Sequence, residues 1–207
     1  MPHATKSQTE KALACLRKQG IARLSELMAA GVNQLTVARL TREGRIVRLT
    51  RGLYQLPDVE LATEHSFAEV GKLVPKGVIC LVSALQYHDL TDQLPRAIWV
   101  AIQSSAWKTR ISSPAIKFVH FGKEALVEGV EKHKIEGVTV RITDIPHTIA
   151  DCFRFRSKVG TDVALEGMRE ALRRKKVTGD SIMHAAQRRR IWTKLRPYLE
   201  ATLDHAG

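Results

Sequence analysis

Arginine carries more potential chemistry in this sequence than any acid–base pair. Gln34, Arg39 and Arg42 lie in one short segment beside Asn33 and Thr36. Glutamine and arginine pair bidentately with adenine and guanine edges in a DNA major groove. Arg45, Arg48 and Arg51 follow directly, suited to phosphate or minor-groove contact. Two further basic runs lie in the C-terminal quarter, Arg173 to Lys176 and Arg188-Arg189-Arg190. Cations at a helix end are favoured by its carbonyl-rich terminus, which accounts for part of the first run. Capping does not need three successive arginines, so Arg188, Arg189 and Arg190 read as a patch for a DNA backbone or an acidic partner.

Carboxylates, by contrast, form no recognisable centre. A metal-dependent nuclease needs clustered acids with a lysine nearby. Glu124, Glu128, Glu131, Glu136 and Asp144 do not fall into an Asp…Glu-x-Lys arrangement on adjacent strands. His147 and Asp151 stand four apart and share a helical face, which reads as a pair of surface polar contacts. His88 and Asp89 are adjacent and diverge. There is no glycine-rich phosphate loop and no Gly-x-Ser-x-Gly elbow. Cys15, Cys80 and Cys152 are scattered singly in apolar segments, as buried thiols of a reducing compartment would be. No catalytic residue, metal or cofactor is expected, and the chain does not read as an enzyme.

Local signals place the basic side chains on definite elements. Apolar periodicity predicts a helix over 9–19, stopped by Gly20, and a second near 24–30 with Leu24, Leu27 and Met28 inward. Gly31 supplies a left-handed turn, Asn33 an N-cap, and a third helix runs to Glu43 before Gly44. Val32, Val37 and Leu40 face the first two helices, leaving Gln34, Thr36, Arg39 and Arg42 outward. Alternation over 45–49 and 53–56 around Thr50-Arg51-Gly52 is a hairpin. Three helices and a hairpin make a winged helix-turn-helix over 1–57.

Residues 57–60 read as a short link. Beyond it, a helix is expected near 63–74 and a strand, a helix or one after the other over 78–90. Strands follow at 98–102, 116–120 and 138–142, the last preceded by a turn at Glu136-Gly137. Trp107, Lys108 and Arg110 fall in a Ser-rich loop between strands, an anchoring tryptophan with solvated neighbours or a stacking site. Asp144 can cap and Pro146 suits a first helical turn, and from there the pattern is helical, near 146–157, 161–176, 179–188 and 191–204. The expected class is α+β: a winged helix-turn-helix, then a mixed α/β body over 61–207 with a helical C-terminal tail.

Charge follows the same division. The chain of 207 residues carries a formal +12. Residues 1–60 hold 10 Lys/Arg against 5 Asp/Glu, residues 61–150 hold 10 against 9, and residues 151–207 hold 13 against 7. Two basic blocks flank a nearly neutral middle, which implies two polyanion-facing surfaces. No apolar run nears the roughly 18 residues that span a bilayer, and the polar start lacks a secretory signal. A soluble cytoplasmic protein without a membrane partner is the expectation.

With these segments in view, the sequence resembles the AbiEi family of antitoxins from type IV toxin–antitoxin systems. The resemblance runs through Gly44-Arg45-Ile46-Val47-Arg48 and Arg51-Gly52-Leu53-Tyr54 of the wing, then Ser83 to Pro95. It continues through Thr143 to Arg156, with Thr148-Ile149-Ala150-Asp151-Cys152, and ends at Arg196-Pro197-Tyr198-Leu199-Glu200. It implies a transcriptional autorepressor that binds inverted repeats in the double-stranded DNA of its own promoter. It also implies a body that antagonises a nucleotidyltransferase-like toxin encoded alongside. A winged-helix regulator without a toxin, or with a nuclease-like body, is the alternative from the residues alone.

Overall fold

The computed structural model describes residues 7–57, 64–93, 95–103 and 114–204. Residues 58–60 of the expected link and the loop holding Trp107, Lys108 and Arg110 lie outside the described residues. The described chain divides into two compact units. The first takes the residues up to Pro75 with Pro114 and Lys134–Val140, and the second takes the remainder.

The first unit opens with α1, Gln8–Gln19. Ser7 and Glu10 form a reciprocal capping box, the Glu10 N–H donating to Ser7 Oγ at 3.2 Å and the Ser7 N–H to Glu10 Oε2 at 2.8 Å. The helix ends at Gly20, whose φ is +67°. A Cβ there would lie 1.8 Å from the Glu136 carbonyl oxygen, so only glycine fits. Strand β1 (Ile21–Arg23) follows, then α2 (Leu24–Ala29) and α3 (Gln34–Arg42). Strands β2 (Val47–Thr50) and β3 (Leu53–Gln55) form the expected hairpin. Sequence patterning missed β1, which pairs antiparallel with β3 to give a sheet of order β1-β3-β2. Leu16, Leu27, Val37, Leu40 and Ile46 are fully buried in the core of this unit. Met28, expected inward, is 52% exposed, because the inward face of so short a helix is filled by Leu27. Helix α4 (His65–Leu73) belongs to the same unit.

In the second unit, β4 (Val78–Ile79) leads into α5 (Leu81–Tyr87), so the ambiguous apolar run is strand followed by helix. Then come β5 (Ile98–Gln103), β6 (Ile116–Phe121), β7 (Val130–Ile135) and β8 (Val138–Thr143), of which residues 134–140 are those counted with the first unit. The sheet order is β6-β5-β4-β8-β7, with β5/β6 and β4/β8 parallel and β4/β5 antiparallel. Helices α6 (Ile145–Arg154), α7 (Arg156–Val159), α8 (Thr161–Arg173), α9 (Gly179–Arg188) and α10 (Trp192–Asp204) complete the tail. Asp144 caps α6 by accepting the His147 N–H at 2.8 Å. Leu85, Phe121, Phe153, Met168, Ile182 and Leu195 fill the core. The class is the expected one, a winged helix followed by a mixed α/β body. No helix among the described residues is long and apolar enough to cross a membrane.

Two sequence expectations are overturned inside this unit. Asp151 is not a surface partner of His147: it is fully buried, and His147 Nδ1 pairs instead with Asp144 at 2.8 Å. Nor does Arg189 belong to an exposed basic patch. It is 4% exposed, and its Nε donates to both Asp151 oxygens at 3.0 and 3.2 Å. Its Nη2 also donates to the Glu128 carbonyl at 2.9 Å. Burial pushes the Asp151 carboxyl up to about 6, against the pull of the Arg189 guanidinium.

Candidate nucleic-acid interface

Helix α3 is positioned by its own cap and by α1. The Asn33 side chain accepts the Thr36 N–H at 2.7 Å, while Gln8 Oε1 accepts both the Asn33 N–H at 3.0 Å and the Thr36 hydroxyl at 2.9 Å. Val37 and Leu40 lock the inner face into the core. Asn33 and Thr36 are therefore committed to holding the helix, and Thr36 is half-buried rather than outward. Arg39 is exposed but braced, donating to Glu43 Oε1 at 3.0 Å and to Thr9 Oγ1 at 3.0 Å. Gln34 and Arg42 are exposed.

The same outer stripe carries two residues that polarity-based reading passed over. Leu35 is 81% exposed and Ala38 is exposed beside it. Helical spacing places 35, 38, 39 and 42 on one face, and that spacing was the signal available in the sequence. Apolar side chains on such a face suit the thymine methyl group.

The wing follows without a spacer. Buried Ile46 anchors the start of β2, and the Arg45 and Ile46 N–H groups both donate to the Leu40 carbonyl, at 3.0 and 3.4 Å. Strand β3 is buried in the middle of its sheet, so β2 is an outer strand. Arg45, Arg48 and Arg51 are all exposed, Arg51 at the turn with Gly52. Arg48 is bent back, its Nε donating to the Thr50 carbonyl at 3.3 Å. The surface thus joins Gln34, Leu35, Ala38, Arg39 and Arg42 of α3 to three arginines of the wing.

Residues 10–57, the helix-turn-helix and wing just described, match the family described as transcriptional regulator, AbiEi antitoxin. The head is similar to an AbiEi-type regulator domain. Among solved structures, the chain is similar to the RV2827C protein from Mycobacterium tuberculosis, with a TM-score of 0.57 and 9% identity. That similarity covers 90% of this chain and 73% of the other, and it bears on the fold alone. No curated protein sequence matches the chain.

Outside the AbiEi-type domain, the other sequence-level motifs resolve into architecture. Ser83 Oγ accepts the buried Trp99 N–H at 3.0 Å, and His88 Nε2 lies 2.8 Å from the Thr143 carbonyl. Burial lowers the His88 pKa below its ordinary value. Ser83 and His88 therefore tie α5 to the sheet. Of the C-terminal run, Arg188 is 71% exposed and pairs with Glu128 at 3.2 Å, and Arg190 is exposed. Arg173 and Arg174 both pair with Glu170, whose carboxyl they hold down at about 2. No group of three or more His, Cys, Asp or Glu side chains able to hold a metal occurs among the described residues.

Proposed function

We propose that this protein is a DNA-binding antitoxin and transcriptional autorepressor of a type IV toxin–antitoxin operon. Its α3 face reads base edges in the major groove of inverted repeats in its own promoter, while Arg45, Arg48 and Arg51 hold the flanking backbone. The C-terminal unit antagonises a nucleotidyltransferase-like toxin, and the protein acts in the cytoplasm without catalysing a reaction. The observation carrying this reading is an exposed stripe of Gln34, Leu35, Ala38 and Arg42 beside three exposed wing arginines. The AbiEi description of residues 10–57 supports the regulatory half of it.

The test is a gel-shift titration with the promoter duplex and a random duplex across a salt series. Promoter binding should be tighter and fall steeply with salt. Arg42→Ala should narrow the gap between the two duplexes. Arg51→Ala should weaken both alike and reduce the salt slope by about one. Equal affinity for the promoter and the random duplex would overturn the proposal.

A further inference from the structure

The second unit holds a basic cavity that the DNA-reading head does not use. It has a volume of about 710 Å³ and is lined by the 3-10 turn at Glu124–Leu126, the end of α6 and the α9–α10 junction. Its lining carries seven lysines and arginines against two carboxylates, Glu124 and Glu128. Arg189 is neutralised by Asp151, and Arg188 engages Glu128. Arg154 also acts electrostatically on Asp151, but among the described residues no carboxylate forms an ion pair with Lys123, Arg156, Arg190 or Lys194. Cations gathered around one concavity repel each other unless an anion enters.

Helix polarity points the same way. Arg190 and Lys194 flank the start of α10, the positive end of a 13-residue helix with no acidic residue in its first turn. Ile191, immediately before it, has no side-chain oxygen to cap the helix. A helix N-terminus opening beside a cluster of cations is a ready site for a phosphoryl group.

Backbone geometry adds a third observation. Arg190 has a φ of +55°, a left-handed conformation that favours glycine. Its N–H donates to the Gln187 carbonyl at 3.0 Å, and the Ile191 N–H donates to the Ala186 carbonyl at 2.8 Å. This is a Schellman helix end with arginine where glycine is the usual occupant. Lys175 repeats it at the end of α8, with a φ of +55°.

We propose that this cavity binds a compact oligophosphate, two or three linked phosphoryl groups such as a nucleoside di- or triphosphate carries. Several uncompensated cations around one concavity match a chain of phosphates better than a single one. No aromatic side chain lines the cavity to stack on a base, so the phosphate chain is the part recognised. Double-stranded DNA presents a convex backbone that a cavity of this size does not admit.

The test is calorimetric titration of the full chain, at fixed ionic strength, with sodium tripolyphosphate, ATP without metal, orthophosphate and a non-operator duplex. Tripolyphosphate and ATP should each saturate one site, with orthophosphate about tenfold or more weaker. Equal affinity for the first two assigns recognition to phosphates alone, and tighter ATP binding assigns it to a nucleotide. Arg190→Gly suits the backbone and should keep the fold while weakening tripolyphosphate about tenfold or more. Lys194→Ala should weaken it too, and Lys175→Gly should leave it unchanged. Absence of saturable tripolyphosphate binding would overturn the proposal. So would equal weakening by Lys175→Gly, or a duplex that binds through Arg190 when tripolyphosphate does not.

Discussion

Two arginine-rich regions of this molecule look alike in composition and differ in physical role. In the head, Arg42, Arg45, Arg48 and Arg51 stand exposed on α3 and the hairpin, and apolar residues make the core beneath them. At the α9–α10 junction, three consecutive arginines divide the work. Arg189 is a buried strut on Asp151, Arg188 is tethered to Glu128, and Arg190 lines a cavity. The difference teaches that a basic run is not a unit. A helix end turns successive side chains in different directions, and each meets a different dielectric.

Breaking the strut should produce the largest effect. Arg189→Met leaves Asp151 as an unpaired buried carboxylate and should cost about 3–5 kcal/mol of stability by chemical denaturation. The loss should depend on pH. Burial already holds the Asp151 carboxyl at about 6, above its unfolded value, and removing the guanidinium raises it further. Such a group loses stability as pH rises through its folded pKa, so the deficit should be larger at pH 8 than at pH 5. Equal deficits at both would refute the buried ion pair. No exposed arginine of the head should show either effect.

A smaller effect is expected at Leu35. Leu35→Ala removes an exposed apolar side chain, so stability should move by less than about 0.5 kcal/mol. Operator affinity should fall by about 1–2 kcal/mol if the side chain is buried on DNA. A gel shift with thymines replaced by uracil, which lacks the methyl group, should lose the difference between Leu35 and Ala. The smallest effect separates cap from reader. Asn33→Ala should cost about 1 kcal/mol of stability through the lost cap while leaving the ranking of operator variants unchanged. A changed ranking would return Asn33 to the proposed reading surface.

Much of the fold was legible because its signals are local. Asn33 and Asp144 as N-caps, Gly20 as a stop and the hairpin around Arg51-Gly52 need only neighbours in sequence, and the structure shows each in place. Strands β1 and β7 were not legible. β1 spans three residues, too few for a period, and β7 is Val-Glu-Lys-His-Lys-Ile, a charged edge strand with no apolar alternation. Both exist because a partner strand satisfies their backbone groups. The exposed stripe of α3 was half legible. Arginine and glutamine signalled it by type, whereas exposed Leu35 and Ala38 resembled ordinary core residues.

Sequence by itself therefore determined the winged helix, most of the succession of elements and the presence of two basic blocks. Each follows from periodicity, capping and net charge over short stretches. Only the tertiary structure decided what each arginine does. Asp151 and Arg189 are 38 residues apart, and nothing local to either marks it as the other's partner. Folding chose that pair because a buried charge is stable only opposite another. It buried one arginine of the run and left its neighbour exposed at the rim of a cavity.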